Sequence, residues 1–317
     1  MEKVNELQLP FNRGLNEEET RACRTSAVKT FFRKFWLPTL MLVPAGVFYM
    51  MFFVYPTLHS FYLSFNDWNI LTGAISFEGL SNYKEVLSDP VFHQSVRNMI
   101  VYIIFTTIPL IALSLIIAIL IENCGPAKGI LRTAIYIPVI ISMSVSGMMW
   151  QVILSPTTGI VNQVLSMFGV EPISWLTDTR TALGVIIVVG IWRGLGTNVV
   201  LFIAGLKGIS KEQLEAAKID GANRLQIFRY VTFPSISYVT SFVTITTIIS
   251  CFQIFTTIQV MTMGGPNNAT NMPVFQLWQE AFQFFDMGRA TSISTMMFIA
   301  ILILSMIIMR RMEKAND

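Results

Sequence analysis

Charge is scarce in this chain of 317 residues. Only 13% are Asp, Glu, Lys or Arg, against about a quarter in an ordinary soluble domain, which excludes an independent soluble globule. Cysteine is scarcer still. Cys23, Cys124 and Cys251 stand far apart with no C-x-x-C pair, which excludes a disulfide framework and a zinc site. The two histidines, His59 and His93, are not at metal-ligand spacing and are expected as solvated loop residues. There is no G-x-x-x-x-G-K-[ST] phosphate loop, so nothing here is built to cradle ATP in the usual way. The net charge of +3 carries little meaning until its distribution is read, and no nucleic-acid partner is expected.

What the chain has in abundance is apolar length. Hydrophobic residues make up 53% of it and the mean hydropathy is +0.59. A spanning helix needs roughly 20 mostly apolar residues, and six such runs occur, near 37–56, 98–121, 134–154, 183–206, 236–258 and 290–309. Strands would leave open sheet edges in hydrocarbon, where backbone groups go unpaired, so the expected class is an all-α membrane protein of six helices. Residues 1–36 read as an N-terminal segment, 37–309 as the membrane domain and 310–317 as a tail. The first run is preceded by both acids and bases and followed by no small-residue cleavage site after Tyr55-Pro56, so it reads as a retained span rather than a signal peptide.

Lys and Arg set the orientation. Residues 1–36, 122–133, 207–235 and 310–317 carry seventeen of them, whereas the opposite loops carry four: Lys84, Arg97, Arg180 and Arg289. By the positive-inside rule both termini and the loop 207–235 are expected in the cytoplasm. Asn82 and Thr270 are expected to be open to reagents from outside, and Asn223 from inside.

That loop is polar yet organised. Ser210 and Gln213 form an S-x-x-Q capping box that starts a helix at about Lys211; Leu214 and Ala217 then share a face, and the small Ala216 and Ala217 permit close approach of another surface. Gly221 is placed to turn the chain, because glycine enters left-handed conformations without a Cβ clash. A second short helix is expected over 223–231, with Leu225 and Phe228 on one side and Pro234 at the start of the next segment. Read bare, such a loop could equally be an amphipathic helix lying on the membrane surface. The full pattern, Glu215-Ala216-Ala217-Lys218-Ile219-Asp220-Gly221-Ala222 with Phe228, Val231 and Pro234, resembles the "EAA" loop of binding-protein-dependent ABC importer permeases, with Val231 and Phe233 as conservative departures.

The resemblance extends over most of the chain, toward the maltose and multiple-sugar branch. Phe77-Glu78-Gly79-Leu80-Ser81-Asn82-Tyr83, Leu87-Ser88-Asp89-Pro90 with Phe92, Trp192-Arg193-Gly194-Leu195-Gly196 and Gly264-Gly265-Pro266 follow that branch's order and spacing. It implies a type I importer permease, a non-catalytic subunit in the bacterial or archaeal cytoplasmic membrane. The implied partners are membrane lipid, a second permease, two ATP-binding subunits and an extracytoplasmic solute-binding protein; Mg–ATP would be used by the partner subunits. Glu215, Ala216, Ala217, Asp220, Gly221, Ala222, Phe228 and Pro234 would couple to the ATPase. A self-sufficient channel or secondary transporter is the alternative. It needs an ion or proton site near the midplane, and no Asp or Glu lies within any of the six runs.

Polar side chains at membrane depth tend to face a bundle interior or a watery cavity. The candidates are Gln151, Arg193, Thr197, Asn198, Gln253 and Thr256, with Trp150, Trp192 and Phe252 as stacking faces. Trp192, Thr197, Phe252, Gln253 and Thr256 form the candidate solute path, since sugars combine planar hydrogen bonding with apolar ring faces. Joining helix to helix is the other use of such residues. Arg193, the one full charge inside a span, could attract an anionic solute or pair with backbone carbonyls, and the second reading is favoured. Mono-, di- and oligosaccharides, polyols and glycerol phosphates all fit.

Overall fold

The structure is a computed structural model that describes residues 36, 38, 40–73 and 75–316, with the backbone alone for 311–316. Residues 1–35, and Cys23 with them, lie outside the described residues. The chain divides into two compact units, residues 1–59 and 60–317.

Helix α1 (Leu40–Leu63) supplies most of the described part of the first unit. It carries stacked aromatic pairs one turn apart, Phe48 on Phe52 and Tyr49 on Phe53. The sequence places its end near Pro56, but the helix continues through that proline. The reason is local: the turn Met50–Val54 is a wide π turn, and it contains Phe52, the residue whose carbonyl the ring of Pro56 would otherwise strike. His59 therefore sits on this helix, stacked on Tyr55, instead of in a loop. His93 likewise falls in the first turns of a helix.

In the second unit, three further helices are long and apolar enough to cross a membrane: α3 (Pro90–Asn123), α7 (Ala182–Lys207) and α13 (Met287–Asn316). Short α2 (Ser81–Ser88) precedes α3. The third and fifth expected spans are bent. The third breaks into α4 (Lys128–Ile140) and α5 (Met143–Ile153), with a 97° bend where Ile141 and Ser142 turn extended. The fifth is α10 (Ser237–Phe252), entered through a 65° bend from α9 (Arg224–Ser235). A separate short helix, α11 (Thr256–Met261), follows it. Between the third and fourth spans lies α6 (Ile160–Ser166), within the polar loop lies α8 (Lys211–Ile219), and before α13 comes α12 (Pro273–Phe282).

Glycines in the Trp192–Gly196 stretch explain how the bundle closes. A Cβ at Gly194 would lie 2.6 Å from Leu110 of α3, and one at Gly196 would lie 2.7 Å from the Ile135 carbonyl of α4. Only bare backbone lets α7 approach both neighbours so closely. Two buried clusters flank this waist. One, around Val199, Phe202, Ile236 and Val243, lies toward the polar loop; the other, around Ile186, Ile258, Phe275 and Ile293, lies toward the opposite end.

That opposite end carries elements the hydropathy pattern does not announce. Strands β1 (Asn66–Trp68) and β2 (Ile75–Phe77) pair antiparallel, with Asn66 opposite Phe77. Asn82 Nδ2 donates to the carbonyls of Ser64 and Asn66 at 3.2 and 2.9 Å, which ties α2 to the hairpin base. Asn82 is consequently only 5% exposed, and Thr270, bonded to Thr262 and the Gly265 carbonyl, is fully buried. The expectation that both lie open to reagents is corrected: their side chains serve to satisfy loop backbone and hydroxyl groups.

Candidate functional site

The polar loop is a chain of caps. Ser210 Oγ accepts from the Gln213 N–H at 3.4 Å and begins α8, while the same hydroxyl donates to Glu212 in place of a reciprocal bond from Gln213. That contact holds the exposed Glu212 carboxyl below its ordinary range. At the other end of α8, Gly221 has φ +77°. Its N–H bonds the Lys218 carbonyl at 3.1 Å and the Ala222 N–H bonds the Ala217 carbonyl at 3.0 Å. This pair of bonds is a Schellman motif, which needs a left-handed residue where glycine stands. Asn223 and Gln226 then exchange hydrogen bonds of 2.9 and 2.7 Å, a complete capping box that starts α9. The sequence carries it as N-x-x-Q, a pattern that announces a cap as the S-x-x-Q of Ser210 does.

Glu215, Ala216, Asp220 and Gly221 are exposed, whereas Ala217 and Ala222 are half-buried. Leu225 and Phe228, expected on one side, diverge: Leu225 is 74% exposed, while Phe228 packs on the Val199–Phe202 cluster. Pro234 sits at the end of α9, not at the start of α10, and repeats the device of α1. The π turn Phe228–Thr232 contains Tyr230, the residue four before this proline.

A cavity of about 490 Å³ opens between α3, α7 and α10 and beside the break in the third span. Thr197 and Gln253 of the candidate path line it. Trp192 instead packs edge-on against Trp150 with centroids 5.6 Å apart, Phe252 is buried in the far cluster, and Thr256 heads α11 next to the lining residue Thr257. Tyr102 and Thr106 of α3 also line the cavity. Their four-residue spacing, continuing the line of Ser95 and Asn98, is a polar stripe within an apolar run that could have drawn attention to them.

Other polar residues join helices. Arg193 Nη1 donates to the Ile141 carbonyl at 2.9 Å and to Ser146 Oγ at 3.3 Å. The guanidinium thus spans the break in the third span, satisfying a carbonyl that the break frees. Gln151 donates to the Val260 and Met261 carbonyls, and Asn198 to Thr247.

At the hairpin end, Arg289 reaches Asp89 at 3.1 Å and Glu280 at 3.3 Å. Burial pushes the Glu280 carboxyl up, against the pull of the Arg289 cation. Among the described residues no three His, Cys, Asp or Glu side chains converge as a metal site requires.

The family described as binding-protein-dependent transport system inner membrane component matches residues 98–316. The probable ABC transporter permease protein YurN of Bacillus subtilis (strain 168) is 33% identical over 285 residues, covering 89% of this chain and 97% of that protein. The arabinooligosaccharides transport system permease protein AraP of the same organism is 32% identical over 280 residues, covering 87% and 88%. In fold, the chain overlays a subunit of a bacterial ABC transporter involved in the import of the acidic polysaccharide alginate with a TM-score of 0.83. The overlay covers 92% of this chain and 100% of that one at 18% identity. The capped polar loop between two spans, the bent spans and the family match across most of the chain have one reading: this protein is a member of the inner membrane components of binding-protein-dependent transport systems.

Proposed function

We propose that this chain is one membrane subunit of an ATP-driven importer for a sugar or a closely related polyhydroxy solute. It pairs with a second permease, receives solute from an extracytoplasmic binding protein and docks two ATP-hydrolysing subunits on its polar loop, which faces the cytoplasm with both termini. The partner subunits use Mg–ATP; this chain holds Glu215, Ala216, Asp220 and Gly221 outward for them. The observation that carries the reading is the loop itself: two short helices fixed at an angle by caps at every joint and projecting exposed residues between α7 and α10. Helix α7 and the residue that caps the end of α10 supply Thr197 and Gln253 to the cavity.

The solute class rests on the cavity. Its volume of about 490 Å³ lies within the usual range for small-molecule sites, and its polar lining is hydroxyl and amide, with the Arg193 guanidinium and no carboxylate. That lining suits a neutral or anionic polyhydroxy compound. One permease similar in sequence is named for arabinooligosaccharides. The test is uptake by vesicles holding the assembled complex, with binding protein outside, ATP inside and a panel of labelled arabinooligosaccharides, disaccharides and glycerol phosphate. Uptake of one of these that requires both ATP and binding protein is expected; uptake that needs neither identifies a channel or secondary transporter and overturns the reading.

A further inference from the structure

We propose that the groove between α5, α6 and the start of α7 is a built site for one membrane phospholipid, whose acyl chain lies in the groove and whose phosphate pairs with Arg180. The groove has a volume of about 470 Å³ and is lined by Trp150, Leu154, Val161, Trp175, Val185 and Val188, among others, with Arg180 at its edge. The lining is almost wholly apolar, and it lies against the first turns of a spanning helix. On the proposed topology this is the extracytoplasmic end of the span, the level at which a lipid's headgroup and chain meet and where Trp side chains collect.

The walls are fixed rather than soft. Asn162 is buried; its Nδ2 donates to the Ser155 and Ile173 carbonyls at 3.2 and 3.0 Å, and its Oδ1 accepts from the Ile173 N–H and the Trp175 indole, both at 3.1 Å. Thr181 Oγ1 donates to the Trp175 carbonyl at 2.7 Å. One amide thus locks the whole segment that carries Trp175, so the groove exists without an occupant to shape it.

One group in this frame lacks the partner a phospholipid brings. Arg180 is exposed, and among the described residues its guanidinium has no ion pair or hydrogen bond; the nearby Asp178 carboxylate is taken by the Arg180 backbone N–H at 2.9 Å. A phosphodiester is the complementary group. Gly184, on the groove floor, completes the case: a Cβ there would meet nothing within 4 Å, so this helical glycine leaves open space where no protein atom fills it.

The test uses the full complex in vesicles of phosphatidylglycerol and phosphatidylcholine, with a trace of phosphatidylglycerol carrying a photoreactive group in its acyl chain. Cross-links are mapped by mass spectrometry. Labelling at Val185 and Val188 is expected to exceed that at Phe105 and Ile108, apolar positions exposed on α3. Gly184→Leu is expected to abolish groove labelling and leave α3 labelling intact, while Gly184→Ala, which leaves most of the space, retains it. Arg180→Gln should lower groove labelling about fivefold, the worth of one basic side chain at a lipid surface. Equal labelling of groove and α3 positions, or no response to Gly184→Leu in a complex whose α3 labelling is intact, overturns the site. So does a photoreactive residue at position 188 that cross-links to the second permease instead of to lipid.

Discussion

Replacing Gly221 by valine tests the joint on which the proposed coupling depends. Gly221 stands at φ +77°, a conformation that costs an L-residue roughly 1–2 kcal/mol and is least tolerable for a β-branched one. The added side chain meets nothing, since a Cβ there has no neighbour within 4 Å, so the penalty is conformational and not a clash. The chain can escape it only by leaving the left-handed region. It then gives up the two bonds of 3.1 and 3.0 Å that close α8, each worth about 1 kcal/mol. Either route takes about 1–2 kcal/mol from the angle between α8 and α9, a factor of about 5–30 in its population. That is too little to unfold a six-span bundle. Gly221→Val should therefore reach the membrane in normal amount, yet lose about 5- to 30-fold in solute moved per ATP hydrolysed when the purified complex is assayed in vesicles. Gly221→Asn should stay near wild type, because asparagine tolerates the left-handed region. Glu215→Ala, which removes an exposed carboxylate without touching the joint, should weaken ATPase association more mildly. Wild-type coupling in Gly221→Val, or equal damage from Gly221→Asn, refutes the reasoning.

Arg193→Ala leaves the Ile141 carbonyl without its donor and should lower stability by about 1–3 kcal/mol, read as a drop in melting temperature that Arg193→Lys restores in part; no drop removes the clamp. Gln253→Ala and Thr197→Val should raise the KM for uptake at unchanged complex yield, whereas Trp192→Ala, which breaks the edge-on pair with Trp150, should lower melting temperature first; the opposite pattern exchanges their roles. Glu280 has its pKa raised by burial, so its contribution to stability is full below the ordinary carboxylate pKa and is lost as pH rises through the raised value. Glu280→Gln should flatten that part of the stability profile, and Arg289→Ala, which strips the shared cation from Asp89 and Glu280, should cost about 1–3 kcal/mol at neutral pH; a pH profile unchanged in Glu280→Gln removes the assignment. With native cysteines replaced, cysteine at Phe77 or Asn267 should react with an impermeant reagent in intact cells and cysteine at Asn223 only after permeabilisation; reaction at 223 in intact cells inverts the topology.

Hydropathy made the six spans legible because a spanning helix needs a long apolar run and little else. Their breaks were hidden because each depends on a distant partner. Nothing at Ile141 and Ser142 marks a 97° bend; its freed carbonyl is met by Arg193, 52 residues away. The Asp89–Arg289 pair likewise joins residues 200 apart. By contrast, Gly221 and the Asn223–Gln226 cap were legible in principle, since both answer needs of the adjacent backbone.

The two prolines show how a local rule can hold and still mislead. A proline excludes the ordinary helical bond and crowds the carbonyl four residues back, which read simply as helix ends at Pro56 and Pro234. At Pro56 the helix inserts one π turn over that carbonyl and continues to Leu63, whereas at Pro234 the same kind of turn carries it only to Ser235, where the 65° bend follows. At Pro234 the consequence is mechanical. The widened turn begins at Phe228, whose ring is seated on the cluster of Val199, Phe202, Ile236 and Val243, so α9 is pinned to α7 and α10 at the point where its backbone is least regular. On the proposed reading, a load applied at Glu215 crosses a closed joint at Gly221 and a closed cap at Asn223 before it meets this anchor. It is then delivered to the same two helices that hold Thr197 and Gln253 at the cavity wall.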